Sequence, residues 1–304
     1  MIMSDISFYR FRRWLLVGLV AGAHAAMAAP AMPQPDVLLA QAWDEYGFTA
    51  FSRARERFQK AAAHPAATPE QQFQARLGQA FITQFQLPGR DPEAARLQYE
   101  QLLAGLPADA PPAWRAVLLA RIGQCLLTGR QPDYDLGRRR LREAIAADRP
   151  DGLAGQEAVL QLLASYLARP DEAEFRAGLA EIDRLMPRLR GGPLECDAHL
   201  IAASLAFALR DYPRAEAELE ARTATGIENP QSLAGAYFQI ARLNETVLNN
   251  PRKAARYYRI LAEKCPASIP VYFARERAAK LERQPAGASV GSVPPPTPAP
   301  QRVP

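Results

Sequence analysis

Few residues in this sequence have the types and spacing that metal binding requires. Beyond residue 28 the chain keeps two histidines, His64 and His199, and neither belongs to an H-E-x-x-H pair that places two ligands on one helix face. The run CDAH, from Cys196 to His199, is a single C-x-x-H without the second ligand pair that a structural zinc site needs. We therefore expect no bound metal ion.

Motifs for nucleophilic catalysis and for nucleotide binding are also missing. The chain contains no G-x-S-x-G, no P-loop and no dinucleotide-binding glycine pattern. Glu216, Glu218 and Glu220 stand among arginines. We interpret such carboxylates as exposed i, i+4 partners, each contributing a few tenths of a kcal/mol. The sequence therefore predicts no catalytic residue and no cofactor, and indicates a protein that is not an enzyme.

The alternative to a non-enzymatic protein is a helical-repeat enzyme that acts on glycan or peptide of the cell envelope. Such an enzyme needs two carboxylates in one groove, for which Glu245 with Asp36 or with Glu195 are the candidates.

The charge pattern argues against a nucleic-acid partner. The chain has 37 Lys and Arg against 32 Asp and Glu, a net charge of +5, and no basic stripe with interleaved aromatic residues. The densest basic run is GRRRLR, from Gly137 to Arg142. We interpret this run as a solvated helix face.

The first 28 residues have the pattern of a secretory signal peptide. Arg10, Arg12 and Arg13 precede the apolar run from Trp14 to Ala28, which ends in the small-residue exit Ala-Met-Ala. The run is shorter than the ~20 residues of a transmembrane helix. The sequence therefore predicts export to the periplasm or the exterior, with no integral membrane span in the mature chain. An uncleaved membrane anchor is the alternative.

The element around which the chain is organised is NPRKAARYYRILAEKCPAS, residues 250–268. Asn250 is a good N-cap, and Pro251 occupies the first helical position, where its missing N–H costs nothing. Ala254, Tyr258 and Leu261 fall on one helix face, and Pro266 is expected to end the helix.

The same order of small, aromatic or large, and apolar residues recurs along the chain. Ala95, Tyr99, Leu102 and Pro107 have identical spacing, as have the four residues Phe175, Leu179, Ile182 and Pro187. The anchor residues lie 38 to 42 residues apart; they are Ala54, Ala95, Gly137, Phe175, Ala215 and Ala254. A near-constant period of this size is typical of a solenoid.

This pattern resembles the second helix of a tetratricopeptide repeat (TPR), although the period exceeds the ~34 residues of the standard repeat. The resemblance implies an all-α, right-handed superhelical solenoid of antiparallel helix pairs. It covers residues 36–283 as about six hairpins plus a capping helix, Pro270 to Arg283. Gly78 and Gly123 resemble the first-helix glycine that lets the paired helix approach closely. Residues 284–304, with seven prolines, are expected to form a disordered tail.

The three cysteines are interpreted as small buried apolar residues. Cys125 and Cys196 lie two repeats apart, too far for a disulfide, whose Cα atoms are within ~7 Å. A bond between Cys196 and Cys265, in adjacent repeats, remains open.

In the TPR family, first helices line a groove that holds a partner peptide or helix. Carried over residue by residue, the resemblance implies a partner-binding groove formed by twelve residues: Trp43, Tyr46, Gln72, Gln79, Gln124, Gln161, Ser165, Ile201, Leu205, Phe238, Arg242 and Glu245. Small apolar residues such as Val117 and Ala120 would lie in its middle. Such a groove either receives an apolar segment of a partner or is filled by the chain itself.

The predicted function is therefore a non-enzymatic protein–protein interaction scaffold or assembly subunit of the bacterial cell envelope. Its partner is a protein or peptide. The partner's identity, the pathway and the oligomeric state stay open at this point.

Overall fold

The computed structural model describes residues 33–86 and 88–283. Within these ranges the chain forms thirteen α-helices and no strand. The predicted signal peptide, residues 1–28, and the predicted proline-rich tail, residues 284–304, lie outside the described residues. The chain divides into two compact units, one up to Ser165 and one from Tyr166 onward.

The first unit contains seven helices, each of which packs on the next. Two pairs of alternate helices are also in contact, α1 with α3 and α5 with α7. The helices are α1 Pro35–Gly47, α2 Phe51–Ala63, α3 Pro69–Phe85, α4 Pro92–Ala104, α5 Pro112–Thr128, α6 Tyr134–Ala147 and α7 Leu153–Ser165.

The second unit contains six helices, and each again packs on its neighbour in sequence. They are α8 Glu172–Leu189, α9 Glu195–Ala208, α10 Tyr212–Ala224, α11 Pro230–Thr246, α12 Pro251–Lys264 and α13 Val271–Glu282. Consecutive helix pairs of this kind confirm the predicted all-α solenoid. The consecutive helices α7 and α8 belong to different units.

The helices begin where the sequence places capping residues. The side chains of Asp91, Asp211 and Asn250 accept hydrogen bonds from backbone N–H groups at the starts of α4, α10 and α12, at 2.9, 3.2 and 3.1 Å. A proline follows in the first turn of each of these helices. The N-cap predicted at Asn250 is confirmed, and Asp91 and Asp211 act in the same way. An N-cap oxygen satisfies one of the N–H groups that lack an intrahelical acceptor.

Residues of the repeated pattern form the cores of the units. In α12, Ala254, Tyr258 and Leu261 are all fully buried, as the periodicity predicts. The helix ends at Lys264, and Cys265 caps it before Pro266 is reached. Ala95 and Tyr99 take the same buried positions in α4.

In α8 the predicted pattern is confirmed at Leu179 and Ile182, which are buried, and is wrong at its anchor position. Phe175, predicted as the small anchor, is only half-buried, whereas Gly178 and Leu185 are buried. A Cβ at Gly178 would lie 2.8 Å from Tyr166 Cβ, so this glycine is the residue that allows close approach. The helix also runs through Pro187 to Leu189, which is fully buried. A proline in the last turn of a helix removes few backbone hydrogen bonds, and the burial of Leu189 offsets the free energy that they would have contributed.

Two first-helix glycines predicted to allow close packing do so. A Cβ at Gly78 would lie 2.4 Å from the ring of Phe58 in α2. A Cβ at Gly123 would lie 2.9 Å from the carbonyl oxygen of Gly137 in α6. Helices α5 and α6 therefore meet backbone to backbone, which only glycine permits at this separation.

The cysteines are free thiols. Cys125 and Cys265 are buried, as predicted, and Cys196 is half-buried. Burial raises the pKa of the Cys125 thiol to about 12, so it is unreactive at neutral pH. Among the described residues, no helix is long and apolar enough to cross a membrane.

Candidate functional site

An apolar groove of about 520 Å³ runs along the first helices of the first unit. Its walls come from α1, α3 and α5 and from the start of α7. The apolar side chains that line it are Trp43, Phe73, Leu77, Trp114, Val117 and Ala154. Trp43 was predicted as a groove residue and Val117 as part of the groove's apolar middle. The structure brings both to one surface.

Aromatic stacking fixes the shape of this groove. The rings of Phe73 and Trp114 stack with centroids 4.2 Å apart and an interplanar angle of 7°. The ring of Trp43 is held edge-on against Phe58 and Phe81, at 4.9 and 5.8 Å. Such pairs contribute about 0.5–1.5 kcal/mol beyond the burial of their area. The walls are thus pre-organised rather than free to collapse.

The polar edge of the groove is set by Asp148. This buried carboxylate accepts hydrogen bonds from the backbone N–H groups of Gly155 and Arg149, at 2.8 and 2.9 Å, and so caps the start of α7. A carboxylate at a helix N-terminus is favoured by the helix dipole. Asp148 is therefore engaged in holding α7, and the groove beside it remains mainly apolar.

A second, more polar cavity of about 490 Å³ lies on the other side of the Phe73–Trp114 pair. Amide side chains line it together with Arg76; they are Gln72, Gln79, Gln98 and Gln101. Two of these glutamines were predicted as groove residues. They lie in this cavity and not in the apolar groove with Trp43.

Gln124, another predicted groove residue, belongs to a polar network between helices. Its side-chain oxygen accepts hydrogen bonds from Arg121 Nη1 and Gln84 Nε2, at 2.9 and 3.2 Å. Tyr99 donates to Gln84 at 2.8 Å. Arg121 is buried and forms an ion pair with the buried Glu157 of α7, at 3.2 Å.

This buried ion pair was not predicted from the sequence. Burial raises the pKa of Glu157 above its ordinary value, and Arg121 opposes that shift. Neither residue breaks the helical periodicity, so no sequence signal distinguishes them from exposed charges.

The remaining predicted residues of the first unit are largely enclosed. Tyr46 is buried, and burial raises its pKa well above its ordinary value. Ser165 is buried and accepts a hydrogen bond from Arg138 Nε at 2.9 Å. Gln161 is half-buried, and its side-chain oxygen has no hydrogen-bond partner among the described residues.

Arg138 corrects part of the interpretation of the basic run GRRRLR. Arg139 and Arg142 are exposed, but Arg138 is buried and bonds both the hydroxyl and the carbonyl of Ser165. Arg138 is therefore a structural residue that holds Ser165 of α7, and it does not belong to a solvated helix face.

In the second unit, Ile201 and Leu205 of α9 are buried core residues. Phe238 is half-buried in α11, 5.7 Å from the ring of Phe273, and Arg242, one turn further on, is exposed.

Glu245, the last of the predicted residues, is buried and accepts hydrogen bonds from Tyr258 at 2.7 Å and from Arg277 of α13. Because of these contacts, Glu245 is not accessible to a binding partner. The bond to Arg277 holds α13 against α11, so this carboxylate stabilises the position of the final helix.

Of the carboxylates of α10, Glu218 has the expected i, i+4 partner, Arg214 at 3.7 Å, but all three glutamates are half-buried and also contact residues of other helices. Lys253 of α12 contacts Glu216 at 2.7 Å and Glu220 at 2.9 Å. His199 of α9 contacts Glu218, with Nδ1 and Oε2 2.7 Å apart. The Lys253 contacts therefore join α12 to the hairpin of α9 and α10, whereas the His199–Glu218 contact lies within that hairpin.

Among residues 33–86 and 88–283 there is no group of three or more His, Cys, Asp or Glu side chains that could hold a metal ion. Glu195, a candidate for a catalytic pair, accepts a hydrogen bond from the N–H of Gly191 at 2.8 Å.

The fold defines the class of the chain as an all-α array of consecutive helix pairs, and the comparisons agree. PilF of Pseudomonas aeruginosa is a similar solved structure, with 20% sequence identity, a TM-score of 0.50, and coverage of 80% of this chain and 96% of that one. At this identity the likeness shows the fold alone. No protein-family model and no curated protein sequence matches the chain.

Proposed function

We propose that this protein is an exported, non-catalytic scaffold that binds an apolar segment of a partner protein in the groove between Trp43, Trp114 and Val117. The observation that carries the proposal is a pre-formed apolar groove on the first helices. Apolar grooves between helices receive amphipathic helices or extended segments of partners. The partner segment is accordingly apolar on one face.

The walls of the groove favour recognition over simple core packing. Trp114 and Val117 are half-buried, so part of each side chain stays accessible beside the groove. Tryptophan is enriched among the residues that contribute most to protein–protein binding, because it buries a large area at low entropic cost.

Site-specific crosslinking tests this assignment. A photo-reactive phenylalanine analogue at Val117 should give a discrete crosslinked product in living cells. The same analogue at Leu97, a 52% exposed residue of α4, should not give that product. In a second experiment the photo-reactive analogue is placed at Trp114. The additional substitution Val117→Arg should then remove the crosslinked product, because it introduces a charge into an apolar site. Identical products from positions 117 and 97 would show that the groove is not the site.

We further infer that the scaffold works in the bacterial cell envelope, in the periplasm or outside the cell. The basic head, apolar run and small-residue exit of residues 1–28 support export. Mass determination of the protein recovered from the periplasmic fraction should show a chain that starts at Ala29. A chain that keeps Trp14 and remains in the cytoplasmic fraction would contradict this.

A further inference from the structure

The positive charge of the chain is concentrated at its final helix pair. Residues 250–283 contain nine Lys and Arg and three Asp and Glu, a net charge of 9 − 3 = +6, while the whole chain has +5. The remainder of the sequence therefore carries 5 − 6 = −1. One end of the second unit thus differs in charge from the rest of the protein.

Several of these cations are exposed and unpaired. Arg252 and Arg256 of α12 and Arg275 and Lys280 of α13 are exposed, and none forms an ion pair with another residue of the described chain. By contrast, the cations that do hold the fold together are paired, such as Lys253 with Glu216 and Arg277 with Glu245. The four exposed cations contribute no such contact, which leaves them available to an external anion.

The same end of the unit exposes large apolar side chains. Ile269 is 92% exposed, Tyr272 is 79% exposed and Phe273 is 40% exposed. These three stand within five residues, immediately before and at the start of α13. Exposed apolar side chains that cluster in this way mark an interaction surface.

The apolar and basic residues share the outward side of α13. The buried residues of this helix are Ala274, Ala278 and Leu281, so Tyr272 and Lys280 lie on the opposite side. The ion pair between Arg259 and Glu282, at 2.9 Å, joins the exposed faces of α12 and α13. The surface is therefore continuous and combines cations with protruding apolar groups. We call it the α12–α13 end surface.

We propose that the α12–α13 end surface docks on an anionic phospholipid membrane. Clusters of four or more Lys and Arg bind anionic headgroups, and aromatic and aliphatic side chains next to them insert at the headgroup boundary. A nucleic acid would use the cations but would leave Ile269 in water. An acidic protein would be matched by the charge, but an aliphatic residue that is almost fully exposed on a short turn is better suited to lipid.

Vesicle sedimentation tests the proposal with the purified full-length protein. The N-terminus of the purified chain is determined first, because a retained apolar leader would itself bind lipid, and all variants compared must share that N-terminus. The probes are vesicles of phosphatidylcholine alone and of equal parts phosphatidylcholine and phosphatidylglycerol. We expect binding to the anionic vesicles only, weaker at about 0.5 M than at about 0.1 M salt because of screening.

Paired charge reversals locate the surface. Arg275→Glu with Lys280→Glu should lower the partition coefficient at least about tenfold. Arg90→Glu with Arg130→Glu, an equal charge change at exposed arginines of the first unit, should leave it within about twofold. Ile269→Ser with Tyr272→Ser should also weaken binding but keep its salt dependence. Unchanged circular dichroism spectra confirm that the variants are folded.

Several results would overturn the proposal. They are no binding of the wild type to anionic vesicles, equal loss with the control pair, or no loss with the Arg275 and Lys280 pair. Binding to soluble polyglutamate without binding to vesicles would assign the surface to an acidic protein instead. None of these results bears on crosslinking at Val117, so the two proposals fail separately.

Discussion

At the residue scale, the informative side chains are charged groups that the fold has buried. The ion pair of Arg121 with Glu157 links α5 to α7, and the contact of Arg277 with Glu245 links α13 to α11. Replacing one member of a buried pair leaves the other charge uncompensated, which typically costs about 3–5 kcal/mol. These pairs therefore specify which helices meet, whether or not they add net stability.

The raised pKa of Glu157 predicts a pH dependence. The folded chain holds the Glu157 proton more tightly than the unfolded chain, so this group favours folding at low pH, and its contribution falls as pH rises above the ordinary glutamate pKa. The unfolding free energy of the wild type minus that of Glu157→Gln should therefore decrease from about pH 4 upward. The decrease should be about 1.4 kcal/mol per unit of pKa elevation.

Urea unfolding at a series of pH values measures this difference. Glu143→Gln, at a half-exposed glutamate paired with Arg140, serves as the matched control for removing a carboxylate that is not buried. If the unfolding free energy of the wild type minus that of Glu157→Gln is constant from pH 4 to 8, the expected pKa elevation is wrong. Arg121 would then stabilise the charged carboxylate as much as burial destabilises it.

At the element scale, the spacing between paired helices depends on glycine. Helices α5 and α6 are in backbone contact at Gly123 and Gly137, and α3 approaches Phe58 of α2 at Gly78. Alanine favours a helix over glycine by about 1 kcal/mol. Whether a glycine-to-alanine substitution stabilises the protein therefore depends on the space available for the added methyl group.

Two matched substitutions separate these effects. Gly123→Ala should destabilise the protein by about 1–3 kcal/mol, because the new Cβ would lie 2.9 Å from a carbonyl oxygen that cannot move alone. Gly235→Ala, in the interior of α11 with no atom within 4 Å of its Cβ, should stabilise by about 0.5–1 kcal/mol. Denaturant midpoints measure both, and equal signs would contradict the helix packing described here.

At the scale of the whole molecule, each of the two units is an array in which each helix packs mainly on its sequence neighbours. The stability of such an array is approximately a sum over repeats and their interfaces. The first and second units each have their own buried residues. Damage to one hairpin should therefore stay local.

Hydrogen exchange provides the test of locality. Gly123→Ala should increase amide exchange in α5, α6 and their neighbours, while protection of α12 should change by less than about threefold. The wild type under the same conditions is the reference. A uniform rise of exchange from α1 to α13 would show that the chain unfolds as one cooperative body instead.

Much of the fold could be predicted from the sequence because its determinants are local. The caps at Asp91, Asp211 and Asn250, the buried face of α12 and the close-approach glycines at positions 78 and 123 all follow from residue type and helical spacing. The error in α8 is confined to the anchor position, because Phe175 and Gly178 lie one turn apart and only packing against Tyr166 selects Gly178.

The candidate site was less accessible to sequence reasoning. Register alone assigned Gln72, Gln79 and Trp43 to one groove, but the glutamines line a cavity separated from Trp43 by the stacked rings of Phe73 and Trp114. Side chains from four elements shape these cavities, and no single helix encodes that arrangement.

The sequence by itself determined where several helices start, which face of α12 is apolar, and that pairs of helices repeat about every forty residues. Only the tertiary structure decided that Arg121, Arg138, Glu157 and Glu245 are buried, and that exposed cations and apolar groups meet on α13. The physical reason is the distance along the sequence over which each kind of interaction acts. Helix formation and capping act over a few residues, whereas burial and ion pairing depend on which distant side chain fills the opposite face.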